Sequence, residues 1–280
     1  MRPLTRARAT LQLTASLLVW FLLTPSTAFS QATVSIAACN TAPTPDQLAR
    51  IGDWIYRNEC NRDPRCLVEW NQGEAFPSLG IGHFIWYPQG VQGRFTESFP
   101  ALIAYLQQQN IALPTWLATR SPFTAPWADR ETFLQQRDQH PAVELRQFLA
   151  QHTAAQSGFM LQRLQRALPA ILDQVPEAAR GQVSHQLQAM CRSELGWYAL
   201  VDYVNFKGEG LNPQERYQNR GWGLLQVLLL MAPNRDIHHS FADAAASVLT
   251  QRAKLAHNSM ERERWLNGWL KRVNSYRALP

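Results

Sequence analysis

Four side chains early in the chain have the types and spacing for acid–base chemistry. Glu59 precedes Glu74 by fifteen residues, and Ser78 and His83 follow within the next nine. Two carboxylates on opposite walls of a groove are what glycoside hydrolysis needs. One donates a proton to the leaving oxygen, and the other, ionised, activates water or attacks the sugar. Glu59 is expected to be the acid, because it continues an apolar stripe. Glu74 sits in a Gly-flanked turn, which suits the ionised partner, and Ser78 is placed to hold a water. His83 is expected to be structural, a hydrogen-bonded strand residue beside apolar neighbours.

The elements that must position these groups are legible in outline. "TPDQLARIGDWIYRNE" reads as a helix, with Thr44 as N-cap, Pro45 at the first helical position, and Asp46 and Gln47 in the first turn. Leu48, Ile51 and Ile55 form one apolar face, and Glu59 is its next step. Residues 67 to 87 change period: "LVEW", "FPSLGIG" and "FIWY" are short and apolar, punctuated by Gly73, Pro77, Gly80 and Gly82. They predict a small twisted hairpin or three-stranded sheet in which Gly80 and Gly82 allow close backbone packing, and "FIWY" anchors the sheet. From about residue 97 the pattern is helical. The expected fold class is therefore α+β and mostly helical, with a small sheet and a larger helical lobe.

The amino terminus reads as a secretory signal peptide over residues 1–30. It has a basic start (Arg2, Arg6, Arg8), an apolar run at 11–23, and the small-residue site Ala28-Phe29-Ser30. The run is too short to span a bilayer. Residues 31–43 read as a flexible lead-in, and 44–280 as the folded domain. A competing reading takes "IAAC" as a lipoprotein box with a lipid anchor at Cys39. Removal of the signal lowers the formal charge from +6 to about +3, a mildly basic balance compatible with an anionic polymer such as the cell wall. The chain has no dense Lys/Arg run, which argues against nucleic acid.

An even number of cysteines in an exported chain points to disulfides and a periplasmic or secreted location. The short loop "CNRDPRC" favours Cys60 with Cys66, leaving Cys39 for Cys191. The spacing fits no common zinc pattern, so neither a metal nor another cofactor is expected. Most of the ten tryptophans are expected in the core.

At the Glu59 and His83 motifs the chain resembles the phage-type lysozymes. "NEC" ends the first helix and "SLGIGHF" follows a hairpin. In that family a glutamate ends the first helix, a hairpin supplies an aspartate and a threonine, and a Gly-Ile-Gly-His strand comes next. The match runs without a gap from Leu67 to His83, with Ser78 at the threonine position. "DYVNFKGEG" is similar to the family's long cleft helix and its turn, and "FADAAASVLTQR" and "GWLKRVNSYR" to its last two helices. The resemblance covers about half the mature chain and leaves a helical insertion at about 105–185. It implies a lysozyme-like fold, a peptidoglycan or related glycan as partner, and a structural His83.

Two departures matter. Gln72 stands where the family has its aspartate, with Glu74 two residues later on the same strand face. Cys60 stands where the family often has glycine, and a bridge to Cys66 would fix the loop beyond Glu59. A second cluster, Asn205, Lys207, Arg216, Tyr217 and Trp222, surrounds the loop broken by Gly208, Gly210 and Pro213. Its amides, lysine and tryptophan suit N-acetyl sugars and peptide carboxylates. "GWGLLQV" there also resembles a turn of goose-type lysozymes and lytic transglycosylases. His238 and His239 read as a surface pair. Three functions compete: a two-glutamate glycosidase, a lytic transglycosylase using one glutamate, and a non-catalytic cell-wall binding or assembly module.

Overall fold

The computed structural model describes residues 39, 42–93, 95–233, 236–257 and 259–279. The signal-peptide reading, the residues before Cys39 in the lipoprotein box and most of the lead-in lie outside the described residues. The described chain is mostly helical, with eleven helices and one small antiparallel sheet.

Helix α1 spans Pro45–Cys60. Thr44 caps it through a reciprocal exchange with Gln47, which satisfies two amide donors that the first turn would leave orphaned. Ile51 and Ile55 are fully buried, each contributing about 1.5–3 kcal/mol of hydrophobic stabilisation. Asn61 ends the helix in the left-handed region, with φ 48°.

The sheet order is β1 (Val68–Glu69), β2 (Ser78–Leu79), β3 (Phe84–Ile85), antiparallel throughout. Ser78 pairs with Glu69 on one side and Ile85 on the other. Trp86 directly after β3 is fully buried, and its ring packs on Phe99 and Phe123 at centroid distances of 4.7 and 5.2 Å. Phe84 meets Phe159 edge-on. The "FIWY" run thus fastens the sheet to the helices, as its composition predicts. Trp54, Trp70, Trp86, Trp127, Trp197, Trp222 and Trp269 are all buried, as expected for core tryptophans.

The helical body begins with α2 (Phe99–Gln108), α3 (Thr115–Ala118), α4 (Arg130–Gln136) and α5 (Ala142–Gln151). Then come α6 (Thr153–Asp173), α7 (Glu177–Met190) and α8 (Glu194–Lys207). Helices α9 (Leu224–Leu230), α10 (Ile237–Leu255) and α11 (Leu266–Asn274) follow, the last preceded by a π-helical turn at Glu261–Trp265. The longest helix is α6, with 21 residues, and it packs along both α1 and α8. The segment at about 105–185 is therefore part of the core and no appendage to it.

The two disulfides join Cys60 to Cys66 and Cys39 to Cys191. A sulfur bonded to Cys191 has no valence left for a lipid thioether, which removes the anchor reading at Cys39. No helix among the described residues is long and apolar enough to cross a membrane.

Candidate active site

Glu59 occupies the last turn of α1, with its side chain 12% exposed. Its Oε1 is ion-paired with Nη1 of Arg272 from α11. Its Oε2 lies 3.9 Å from Nε2 of His83. Arg272 is itself held from the far side. Its Nε and Nη2 donate to the two carboxylate oxygens of Asp202 at 2.9 and 2.7 Å, and Tyr276 donates its hydroxyl to Asp202 at 2.5 Å. Asp202 is fully buried on α8. Burial disfavours charge on Arg272, but Asp202 and Glu59 outweigh it and hold the guanidinium firmly protonated. Burial and the adjacent Asp202 charge push the Tyr276 phenol well above its ordinary range.

The Glu59 end of α1 is fixed on a second side. Asn58 donates to the Tyr198 hydroxyl, which shares a 2.8 Å hydrogen bond with Ser275. The Cys60–Cys66 bridge follows immediately. Glu59 is thus immobilised by covalent and polar contacts at a helix terminus that would otherwise fray.

His83 departs from expectation. It lies in the turn between β2 and β3, not in a strand, with φ 50° and a side chain 44% exposed. Its ring faces Glu59 and not the core. The turn is fastened instead by Gln156 of α6, which is fully buried. Its Oε1 accepts from the Ile81 amide at 2.9 Å, and its Nε2 donates to the Leu149 carbonyl at 2.6 Å. Gly80 has φ +68°, and a Cβ there would stand 2.2 Å from the Gln156 oxygen, so both conformation and space require glycine. A Cβ on Gly82 would meet the Phe84 ring at 2.3 Å. Close packing at both glycines follows the sequence reading.

Glu74 lies in the turn before β2. Its Oε2 accepts from Asn71 at 3.2 Å and has a long contact of 3.5 Å with the Ser78 hydroxyl. Its backbone carbonyl accepts from the Trp70 indole at 2.8 Å. Ser78 is buried, with its hydroxyl turned toward the Glu74 carboxylate. Gln72 is exposed. The three-stranded sheet therefore carries Ser78 at the start of β2 with Glu74 in the turn before it, and presents His83 to Glu59 at the turn that ends β2.

The second predicted cluster lies on a loop whose residues 212–215 and 218–220 are exposed, while Asn205, Lys207, Arg216 and Tyr217 are half-buried. The Asn205 amide donates to the Gly82 carbonyl at 3.2 Å, tying α8 to the hairpin. The Lys207 ammonium lies over the Phe206 and Trp269 rings at 3.9 and 3.6 Å. Burial, with Arg252 and Arg272 nearby, pushes Lys207 well below its ordinary range. The Tyr217 hydroxyl donates to Glu261 at 2.9 Å, and Glu261 accepts two hydrogen bonds from Arg252. Trp222 is buried beneath the Arg252 guanidinium, 4.3 Å from it. Asn205, Lys207 and Tyr217 are thus engaged by the protein, while Trp222 forms part of a cavity wall. His238 is also no surface residue: it is half-buried, and its Nε2 lies 2.7 Å from the Ser193 hydroxyl.

The residues that organise Glu59 from behind, Asp202, Arg272 and Tyr276, were not singled out in the sequence. One signal was available: Asp202 is a lone carboxylate inside the apolar run "WYALVDYVNF", and a charge so placed needs a partner. Among the described residues no group of His, Cys, Asp and Glu side chains is placed to hold a metal ion. Comparison of the chain with protein-family models, with curated proteins and with solved structures gave no match.

Proposed function

We propose that this chain is an exported, lysozyme-like glycosidase that cleaves the glycan strand of peptidoglycan or a related polymer. The observation that carries the reading is Glu59. It is a largely buried carboxylate at a helix end, fixed from behind by Arg272 and open on its other oxygen toward the hairpin that also bears Glu74. In the proposed reaction Glu59 donates its proton to the glycosidic oxygen as the bond from that oxygen to the anomeric carbon breaks. Glu74 takes a proton from the water that attacks the same carbon, so the new carbon–oxygen bond replaces the old one. His83, 3.9 Å from Glu59, is placed to return a proton to it between turnovers. The disulfides favour an oxidising compartment.

A second reading, a non-catalytic wall-binding or assembly module, is favoured by the ion pair itself. A carboxylate satisfied by Arg272 has a structural purpose without any substrate. Lysis of purified wall material in a gel separates the two. Clearing by wild type, reduced about 10²–10⁴-fold in Glu59→Gln, supports the enzyme. Retention of wall glycan without clearing supports the module, and equal clearing by both proteins sinks the Glu59 assignment. Glu74→Gln resolves the reaction type: loss of lysis fits the two-glutamate hydrolase, whereas full lysis with anhydro-muramic ends fits a transglycosylase.

A further inference from the structure

A cavity of about 370 Å³ opens between the loop after α8, helix α9 and the carboxyl-terminal half of α10. Trp222, Leu229, Leu230, Val248 and Leu255 give it apolar walls. Arg216, Arg220 and Arg252 give it positive charge. Arg252 is neutralised by Glu261. Arg216 and Arg220 have no carboxylate partner among the described residues, and the Arg216 Nε is buried without any hydrogen-bond acceptor. That Nε is covered by the protein itself, so it is the terminal Nη nitrogens of Arg216 and Arg220 that remain for an acceptor in the cavity.

The cavity wall is pre-formed. A Cβ on Gly223 would stand 2.0 Å from the Gly210 amide nitrogen, so the two loop backbones touch. Tyr217 and Arg220 exchange backbone hydrogen bonds around Gln218 and Asn219, both left-handed at φ 48° and 62°. Two consecutive non-glycine residues in that region are strained, and the strain is held where it sets Asn219 and Arg220 on the cavity rim. Leu229 and Leu230 form a lip that is 39% and 51% exposed, large for leucine.

From these features we infer that the cavity binds the carboxyl-terminal end of a short peptide with apolar last residues. The planar Arg216 fork matches an α-carboxylate in two-point geometry. Asn219 and Gln251 offer side-chain amides for peptide groups, and Trp222 with the leucine lip covers small apolar side chains. The volume lies in the range of small-ligand sites. The site uses none of Glu59, Glu74 or His83, and it stands independently of the glycosidase reading.

The test is calorimetric titration of the full chain with N-acetyl-alanyl-alanine, its carboxamide, and inorganic phosphate. The acid is expected to bind at least tenfold tighter than the amide and than phosphate. Arg216→Gln is expected to weaken the acid at least tenfold, and Glu59→Gln to leave it unchanged. Arg220→Gln, at the exposed rim, is the second variant if Arg216→Gln does not fold, with an expected loss of threefold or more. Absence of binding, equal binding of acid and amide, or phosphate tighter than the acid would overturn the inference. So would an undiminished affinity in a folded Arg216→Gln variant, or a loss in Glu59→Gln matching that in the arginine variant. Failure of wall lysis leaves these outcomes untouched, so the two readings fail separately.

Discussion

Arg272 stands between two carboxylates, Glu59 at the end of α1 and Asp202 inside α8, and one guanidinium answers both. Two of its nitrogens serve Asp202, and the third serves Glu59. A candidate catalytic group is thereby anchored to the last helix of the chain. The arrangement also couples the site to the integrity of the core, because Asp202 is fully buried.

Arg272→Met is expected to cost about 3–5 kcal/mol, since it strands Asp202 as an uncompensated buried charge. Arg272→Met with Asp202→Leu should recover the part of that loss due to Asp202, because that pair leaves together while Glu59 stays without its cation. Urea midpoints of the two variants decide the point. A single variant within about 1 kcal/mol of wild type would mean that solvent reaches Asp202 and the network is weaker than its geometry implies.

The hairpin seat on α6 makes a second prediction. Gly80→Ala should destabilise by more than about 1 kcal/mol, from the left-handed backbone alone, with the Gln156 clash added. Gln156→Ala should cost about 1–3 kcal/mol by orphaning the Ile81 amide. In the double variant the clash disappears and the backbone strain stays, so the sum of the single effects should exceed the double effect. Strict additivity would show that the two sites do not touch in solution.

Stability should fall on mild acidification. Burial lowers the folded-state pKa of His152 and of His238 below the unfolded 6.5; for His238, Asp236 opposes the shift only in part. Below about pH 6.5 the unfolded chain then binds more protons than the folded one, so stability drops as pH falls through 6.5 toward the folded values. Above that window both states are neutral and the contribution is flat. Urea midpoints at pH 7.5 and 5.5 should differ, and His238→Gln should shrink the difference. An unchanged midpoint in the wild type would sink the argument.

The two disulfides should separate stability from activity. Cys39–Cys191 closes a sequence separation of 152 residues and Cys60–Cys66 one of 6. Chain-entropy reasoning gives about 5 and about 2 kcal/mol respectively. Cys60→Ser with Cys66→Ser should therefore lower the unfolding midpoint less than Cys39→Ser with Cys191→Ser. It should lower wall lysis more, because it frees the turn beside Glu59. The reverse ranking of lysis would show that the short bridge does not serve the site.

Local signals accounted for what the sequence alone determined. The Thr44–Gln47 cap, the apolar stripe of α1 leading to Glu59, the glycines of the hairpin and the helical character beyond residue 97 all follow from neighbours within a few positions. Such features depend on backbone geometry and short-range spacing, which a sequence displays directly. The paired cysteines were favoured by loop length for the same reason.

Only the tertiary structure decided what lies behind Glu59 and beneath the hairpin. Arg272 and Asp202 lie 70 residues apart on different helices, and Gln156 reaches Ile81 across 75. No periodicity relates such positions, because their meeting depends on how helices cross and not on where they start. The same reason explains the misplaced expectations. Asn205, Lys207 and Tyr217 read as free polar groups beside a broken helix, yet each finds a partner in a distant element once α8, α10 and α11 are packed. His83 read as a strand residue because its neighbours are apolar, but the left-handed turn at Gly80 carries it out of the sheet toward Glu59. Partnership between distant elements is a property of the assembled helices, and it is those long-range contacts that engage Asn205, Lys207 and Tyr217 and bring His83 to Glu59.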